Sequence, residues 1–127
     1  MKRMEQLKNS ATFKQMCDDF LSTTAIDPSL PGKFGVKRGL RNSDGSGVVA
    51  GITNVCCVHG YVISECDKQP IEGELIYRGY NIRDIVNDVL SSGRYGYEEV
   101  AYLLLMGHLP TKSELSYFND IMCKARK

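Results

Sequence analysis

Apolar positions along the chain change their period three times, and each change marks a boundary between elements. In residues 1–24 they recur at helical spacing. Met4, Leu7 and Ala11 share one stripe, and Phe13, Met16, Cys17, Phe20 and Leu21 continue at i, i+3, i+4, i+7, i+8. The stripe slips near "NSAT", which predicts a kink or two short helices. Residues 25–51 lose the period. The stretch from Thr23 to Gly51 holds two prolines and six glycines and reads as a long ordered loop over the surface. Residues 52–80 turn to β-branched residues and alternation. "GITNVCCVHGYVIS" has a predicted turn at His59-Gly60, and "GELIYRGY" alternates Leu75 and Tyr77 with polar neighbours. Short strands in a small hairpin-like sheet are expected there.

Residues 81–127 predict three helices with clear punctuation. Asn81 is an N-cap for "IRDIVNDVLSS", Asp84 sits in its first turn and Gly93 closes it. The predicted buried stripe is Ile82, Ile85, Val86, Val89 and Leu90. The next helix starts near Tyr97, with Glu98 and Glu99 at its positive end, and finishes at Gly107 before Pro110. The last opens on "TKSE", a capping box of Thr111 and Glu114, and Leu115, Phe118 and Met122 mark its inner face. The fold class expected is mainly α with a small β element.

Strand period changes to helix period inside "EGELIYRGYNIRDIV", Glu72 to Val86. Gly79 lets the backbone turn sharply at the end of the strand. Tyr77 and Tyr80 are expected to pack their rings inward with their hydroxyls on polar partners. Arg78 is expected to bond the carbonyls of the turn or an acidic neighbour.

The 127 residues suffice for one small domain with a core, and 43% apolar with 24% charged residues is ordinary for a globular protein. A net charge of +1 gives no broad electrostatic case for nucleic acid or an anionic membrane. No run approaches the roughly 20 apolar residues of a membrane span, and "MKRMEQLKNSATFKQMCDDF" is no signal segment. Five scattered cysteines read as reduced thiols in a cytoplasm.

Each candidate for chemistry has a plainer reading beside it. His59 and His108, the only histidines, are weighed as bases but fit structural or exposed roles. Cys56, Cys57, His59 and Cys66 invite zinc. Yet adjacent cysteines in a strand face opposite ways, and a turn at His59-Gly60 would set Cys66 opposite Thr53, away from Cys56. Buried thiols filling small holes are expected instead. "DGSG", Asp44 to Gly47, has the glycines of a phosphate cradle but no following lysine-bearing helix start, so a tight turn feeding a strand is expected. The pairs Asp18-Asp19 and Glu98-Glu99 fit solvated helix faces or helix starts.

In order along the chain, "GVVAGIT", "VHGY", "IEGELIYRGYNIRDIV" and "YEEVAYLLLMGHLPTKSEL" resemble the N-terminal region of citrate synthases. Members similarly have a glycine-led strand ending in R-G-Y/F before a short helix, then a hydrophobic helix closing on a G-x-x-P-T corner. That corner here is Gly107, His108, Leu109, Pro110 and Thr111. The resemblance implies that residues 1–127 form the N-terminal segment of the large domain in the all-α citrate synthase fold. It implies a homodimeric acyltransferase of the tricarboxylic acid cycle that condenses acetyl-CoA with oxaloacetate and water to give citrate and CoA. No metal or cofactor takes part in that family.

Relatives using propionyl-CoA make 2-methylcitrate, which is an alternative, and a non-catalytic interaction or dimerisation module is another. The family's catalytic histidines and aspartate lie in the later part of the polypeptide, so no catalytic residue is expected within this chain, which reads as truncated. Some members carry R-G-M/L before the first strands, with the arginine on the phosphates of CoA. "KRGL" sets Arg38, Gly39 and Leu40 in a comparable place, and the resemblance implies Arg38 as a CoA contact, with a plain surface arginine as the alternative.

Independently of the resemblance, "VAYLLLMG" is apolar around nearly its whole circumference and requires neighbours on every side. The scattered cysteines predict that purified chain holds no stoichiometric zinc. Elemental analysis finding one zinc per chain after mild chelation would overturn this.

Overall fold

The computed structural model describes residues 5–6, 8–37 and 41–126. They form two compact units: residues up to Thr24 together with those from Val55 onward, and Ala25–Asn54. Met4 and Leu7 of the N-terminal stripe lie outside the described residues. The Asn9 amide donates to the Glu5 carbonyl, but Ser10 is not helical, so the slip at "NSAT" is a break. Helix α1 then runs Ala11–Thr24.

In the second unit the expected loop contains a turn of helix, α2 (Leu30–Lys33). Asp27 starts it by accepting the Ser29 amide on its carboxylate at 2.8 Å and the Leu30 amide on its carbonyl at 3.0 Å. Pro31 sits in the first turn, where its missing N–H has no intrahelical partner to lose.

The first unit holds a sheet ordered β1-β2-β3, from β1 (Cys56–Ser64), β2 (Asp67–Tyr77) and β3 (Tyr80–Asn81), all antiparallel. The first two strands are longer than predicted because the turn is not at His59-Gly60. Gly60 lies within β1, at a register shift between His59 and Tyr61, which is how a bulge accommodates a glycine. The chain reverses instead at Glu65 and Cys66, whose φ values of 50° and 68° make the two-residue turn that matches strand twist. A second such turn follows at Arg78 and Gly79, with φ of 48° and 88°, and pairs Tyr77 with Tyr80. Tyr77 is half-buried as expected. Tyr80 is exposed, since two-residue β3 is the sheet's edge.

The three following helices are α3 (Ile82–Ser92), α4 (Tyr97–Met106) and α5 (Lys112–Ala125). Their caps are those predicted. Asn81 Oδ1 accepts from the Arg83 amide at 3.0 Å, Gly93 and Gly107 close α3 and α4 in the left-handed conformation, and Thr111 with Glu114 forms the capping box. Burial differs more. Of the predicted α3 stripe only Ile85 is buried, and Val86 and Leu90 are exposed. On α5 the buried residues are Phe118 and Ile121, the latter not predicted, while Leu115 and Met122 are half-buried.

The core lies where α4 packs with α1 and α5. Leu103 is fully buried, and Tyr102, Met106 and Phe118 cluster with Met16, Phe20, Ala101 and Met122. Tyr102 and Phe118 meet edge-to-face at 5.5 Å, a favourable arrangement for their quadrupoles. The apolar α4 is thus covered on one side, while Leu105 remains exposed. None of the described helices is long and apolar enough to cross a membrane.

Arg78 joins this helical cluster to the sheet. Its Nε and Nη2 donate to the Leu104 carbonyl at 3.2 and 3.0 Å, and its Nη1 donates to the Thr23 carbonyl at 3.4 Å. Both carbonyls lie in the last turn of a helix, α4 and α1, where acceptors lack intrahelical donors and the dipole is negative. The Arg78 amide also donates to Val55 at 2.9 Å. The sequence placed these bonds in the turn or on a carboxylate; they cross to two helices instead. Where α1 and α4 end, Gly107 comes so close to Thr23 that an added Cβ would sit 2.5 Å from its Cγ2.

Arg78→Ala is expected to destabilise the chain by about 2–3 kcal/mol, since hydrogen bonds from a charged donor are lost and helix-end carbonyls left bare. Arg78→Lys should recover only part, lacking the fork. Urea unfolding midpoints of the three chains test this. The Glu114 carboxyl is held below its ordinary 4.5 by the Thr111 hydroxyl first and the Thr111 amide second. Its contribution is therefore present above pH 4.5 and is lost as pH falls through the lower folded value. Glu114→Gln should flatten the acid limb of a stability–pH curve, and an unchanged limb would contradict it.

Candidate functional site

Four concave surfaces among the described residues of the first unit are of two kinds. One cleft, about 310 Å³, lies between α1, α4 and α5 and is lined by Gln15, Asp19, Tyr102, Ser113, Glu114 and Tyr117 among others. Burial, and then the Glu114 charge, push the Tyr102 phenol above its ordinary 10.0. Asp19 and Glu114 make this cleft anionic, so it repels a phosphate-bearing ligand. A second, about 560 Å³, is edged by Asp84, Asp88, Glu99, Arg94 and Lys112. Its arginine is engaged: Arg94 donates to both oxygens of Glu99, at 2.7 and 3.1 Å, and pairs with Asp88, which raises the guanidinium pKa further.

The other two are apolar grooves. Phe13, Met16, Phe20, Leu105, Met106 and Phe118 line one of about 330 Å³, the face that the helical stripe of α1 predicted. Ile82, Ile85, Val86, Val89, Tyr97 and Val100 line the other, of about 340 Å³, along the α3 stripe. Grooves of this chemistry suit apolar side chains, and their titratable groups are limited to the Cys17 thiol in the first and the Tyr97 phenol in the second.

The two histidines are separated by role. His108 stacks edge-on against Tyr102 at 5.4 Å, with Nδ1 at 3.1 Å from the Leu109 carbonyl, a structural placement within the G-x-x-P-T corner. His59 belongs to β1, not to a turn. Its Nε2 lies 3.1 Å from Cys57 Sγ, and its Nδ1 lies 4.0 Å from Glu74 Oε2. Sequence reasoning missed this trio because it put the turn at His59. Period-2 spacing from Cys57 to His59 was the available signal, but Glu74 needed the register.

The cysteines are also a correction. All five are free and exposed; Cys56, Cys57 and Cys66 were expected to fill core holes and do not, because the stretches of the hairpin that carry them are exposed. Cys56 pairs with Tyr77 at one end of the hairpin, and Cys66 is in the turn at the other. Among the described residues no group of three or more His, Cys, Asp and Glu side chains is placed to hold a metal ion.

The Asp44 turn is self-satisfied. Asp44 Oδ1 accepts from the Ser46 amide and hydroxyl at 2.9 and 2.6 Å, bonds that hold its carboxyl below the usual range. The Gly45 amide donates to Asn42, and a bridge pairs Arg41 with Gly47. These amides are therefore spoken for, and the turn closes on its own bridge rather than feeding a strand. Arg38, the CoA contact implied by resemblance, lies outside the described residues, as do Gly39 and Leu40.

Comparison with known proteins identifies what this framework belongs to. The family described as citrate synthase, C-terminal domain, matches residues 45–127. A citrate synthase of Saccharolobus solfataricus is 41% identical over 90 residues, 70% of this chain and 17% of that protein. One of Haloferax volcanii is 38% identical over 72 residues, 54% of this chain and 17% of that protein. One of Corynebacterium glutamicum is 46% identical over 48 residues, 38% of this chain and 10% of that protein. The chain spans less than a fifth of the length of these relatives, and no solved structure matches it significantly. The matched residues contain the β1–β2 hairpin, the Arg78 corner and all three capped helices, and on that match the chain belongs to the citrate synthase family.

Proposed function

We propose that the chain is the N-terminal scaffold segment of a cytoplasmic, homodimeric citrate synthase-type subunit, part of the large domain of that all-α fold. The parent reaction is condensation of acetyl-CoA with oxaloacetate and water to give citrate and CoA, without a metal or redox cofactor. The observation that carries the family part of this reading is the citrate synthase match over residues 45–127, joined to two open apolar grooves on the same unit, while the N-terminal placement rests on the motif resemblance alone. The grooves receive the rest of the subunit or its dimer mate, and the segment supplies framework.

The reaction sets chemical requirements. A weakly acidic methyl proton must leave the thioester while the enolate oxygen is stabilised, and a ketone must be polarised beside it. That calls for a carboxylate base, hydrogen-bond donors at two oxygens and cations for a dicarboxylate. In this chain His108 is spent on Tyr102 and the Leu109 carbonyl, and His59 stands on an exposed hairpin. The reacting groups therefore come from the remainder of the subunit, and Arg38 is this segment's contribution to holding CoA.

The 127-residue chain alone should give background rates in a thiol-release assay with acetyl-CoA and oxaloacetate. Adding the separately produced remainder of a citrate synthase subunit should restore turnover. Association without turnover would favour an interaction module, and faster turnover with propionyl-CoA would favour 2-methylcitrate synthesis. In the restored enzyme Arg38→Ala should raise KM for acetyl-CoA roughly tenfold and leave kcat nearly unchanged, the signature of lost uniform binding. Robust turnover by the chain alone would overturn the proposal.

A further inference from the structure

One side-chain cluster plays no part in the scaffold reading: Cys57, His59 and Glu74 on the β1–β2 hairpin. Cys57 and His59 are two residues apart on one strand, so their side chains leave the same face. Glu74 is the register partner of His59 on β2. The sheet thus sets sulfur, imidazole and carboxylate in line, with Cys57 Sγ 3.1 Å from His59 Nε2 and His59 Nδ1 4.0 Å from Glu74 Oε2. The imidazole and carboxylate are each about half exposed, at 53% and 49%, and Cys57 is exposed as well, so a small molecule reaches the sulfur.

We propose that Cys57 is a nucleophilic thiol, activated by His59 and Glu74, that exchanges with small disulfides of the glutathione class. Only the thiolate attacks a disulfide, and an ordinary thiol holds a few per cent of it at neutral pH. His59 Nε2 takes the thiol proton, and Glu74 beside Nδ1 supports the positive charge that the ring gains. The Cys57 sulfur attacks one sulfur of R–S–S–R. A Cys57 S–S–R bond forms, the R–S–S–R bond breaks, and R–S⁻ leaves with the electron pair and takes the proton back from His59. Cys57 is oxidised, and one R–SH is released as the reduced product.

Arg83 from α3 is bound to Glu72, two residues along the same face of β2, and its charge also acts on Glu74, so Glu74 is shared between the guanidinium and the His59 ring. The other thiols supply internal controls. Cys56 leaves the opposite face of β1, Cys66 is in the turn, and Cys123 has Arg126 Nη2 at 3.8 Å, a cation that stabilises charge but accepts no proton.

The test treats the native 127-residue chain with substoichiometric oxidised glutathione and maps the adducts by mass spectrometry over time. Cys57 is expected to react roughly tenfold faster than Cys56, because only Cys57 has an imidazole within reach to take its proton as the sulfur attacks. His59→Gln should bring Cys57 to the Cys56 rate, and Glu74→Gln should slow it severalfold, with Cys123 unchanged in both as a check on folding. In urea the wild-type cysteines should react alike, a readout independent of how the variants fold. Equal rates for Cys57 and Cys56 in the native chain, or a Cys57 rate indifferent to His59→Gln, would overturn the proposal.

Discussion

The guanidinium of Arg78 is the constraint on which the arrangement of the first unit depends. Helices α1 and α4 end side by side, close enough that Gly107 touches Thr23, and each end brings unsatisfied carbonyls and a negative dipole. Two such ends repel unless a cation with several donors lies between them. Arg78 is that cation, and it reaches Leu104 and Thr23 together because its own backbone occupies a left-handed turn between β2 and β3. Sheet, turn and helical cluster are therefore fixed by one side chain. Lysine, a point charge without a fork, cannot serve two carbonyls in the same geometry.

Local features of this fold are legible in the sequence, and those that depend on distant residues are not. Helix caps are local: Asn81, Gly93, Gly107, Thr111 and Glu114 each act within a few residues, and each stands where the sequence put it. The turn at Glu65-Cys66 carries no glycine or asparagine at its left-handed positions, so nothing marked it, and Gly60 drew the turn to a bulge instead. That single displacement hid the alignment of His59 with Glu74. Burial failed for a related reason. A stripe such as Ile82 to Leu90 states which side is apolar, not whether anything covers it, and only Ile85 is covered. Arg78 itself was singled out, but its partners lie 26 and 55 residues away in sequence and needed the fold.

The sparse core and the apolar grooves have one explanation. Helix α4 is apolar on nearly all sides, yet the cluster with α1 and α5 covers only the part bearing Ala101, Tyr102 and Met106. Hydrophobic surface beside so small a core is the kind of surface that marks interaction sites, and it agrees with the scaffold reading proposed above. Relatives several times longer than this chain have length to provide that cover. The polar clefts tell the same story from the other side. In them Arg94 is held by Glu99 and Asp88, and Glu114 is held by the cap at Thr111.

Pro70 sits in the middle of β2, opposite Tyr61. Beyond Ile76 and Tyr77, where β3 pairs, the outer side of β2 has no neighbouring strand among the described residues. A long hairpin with a bare edge is a template on which a stray extended segment could lay down another ladder. Proline offers no amide hydrogen to such a ladder, and Lys68, Glu72 and Glu74 would force like charges together between stacked copies. The hairpin can thus stand exposed to solvent with its own sequence guarding it against edge-to-edge growth.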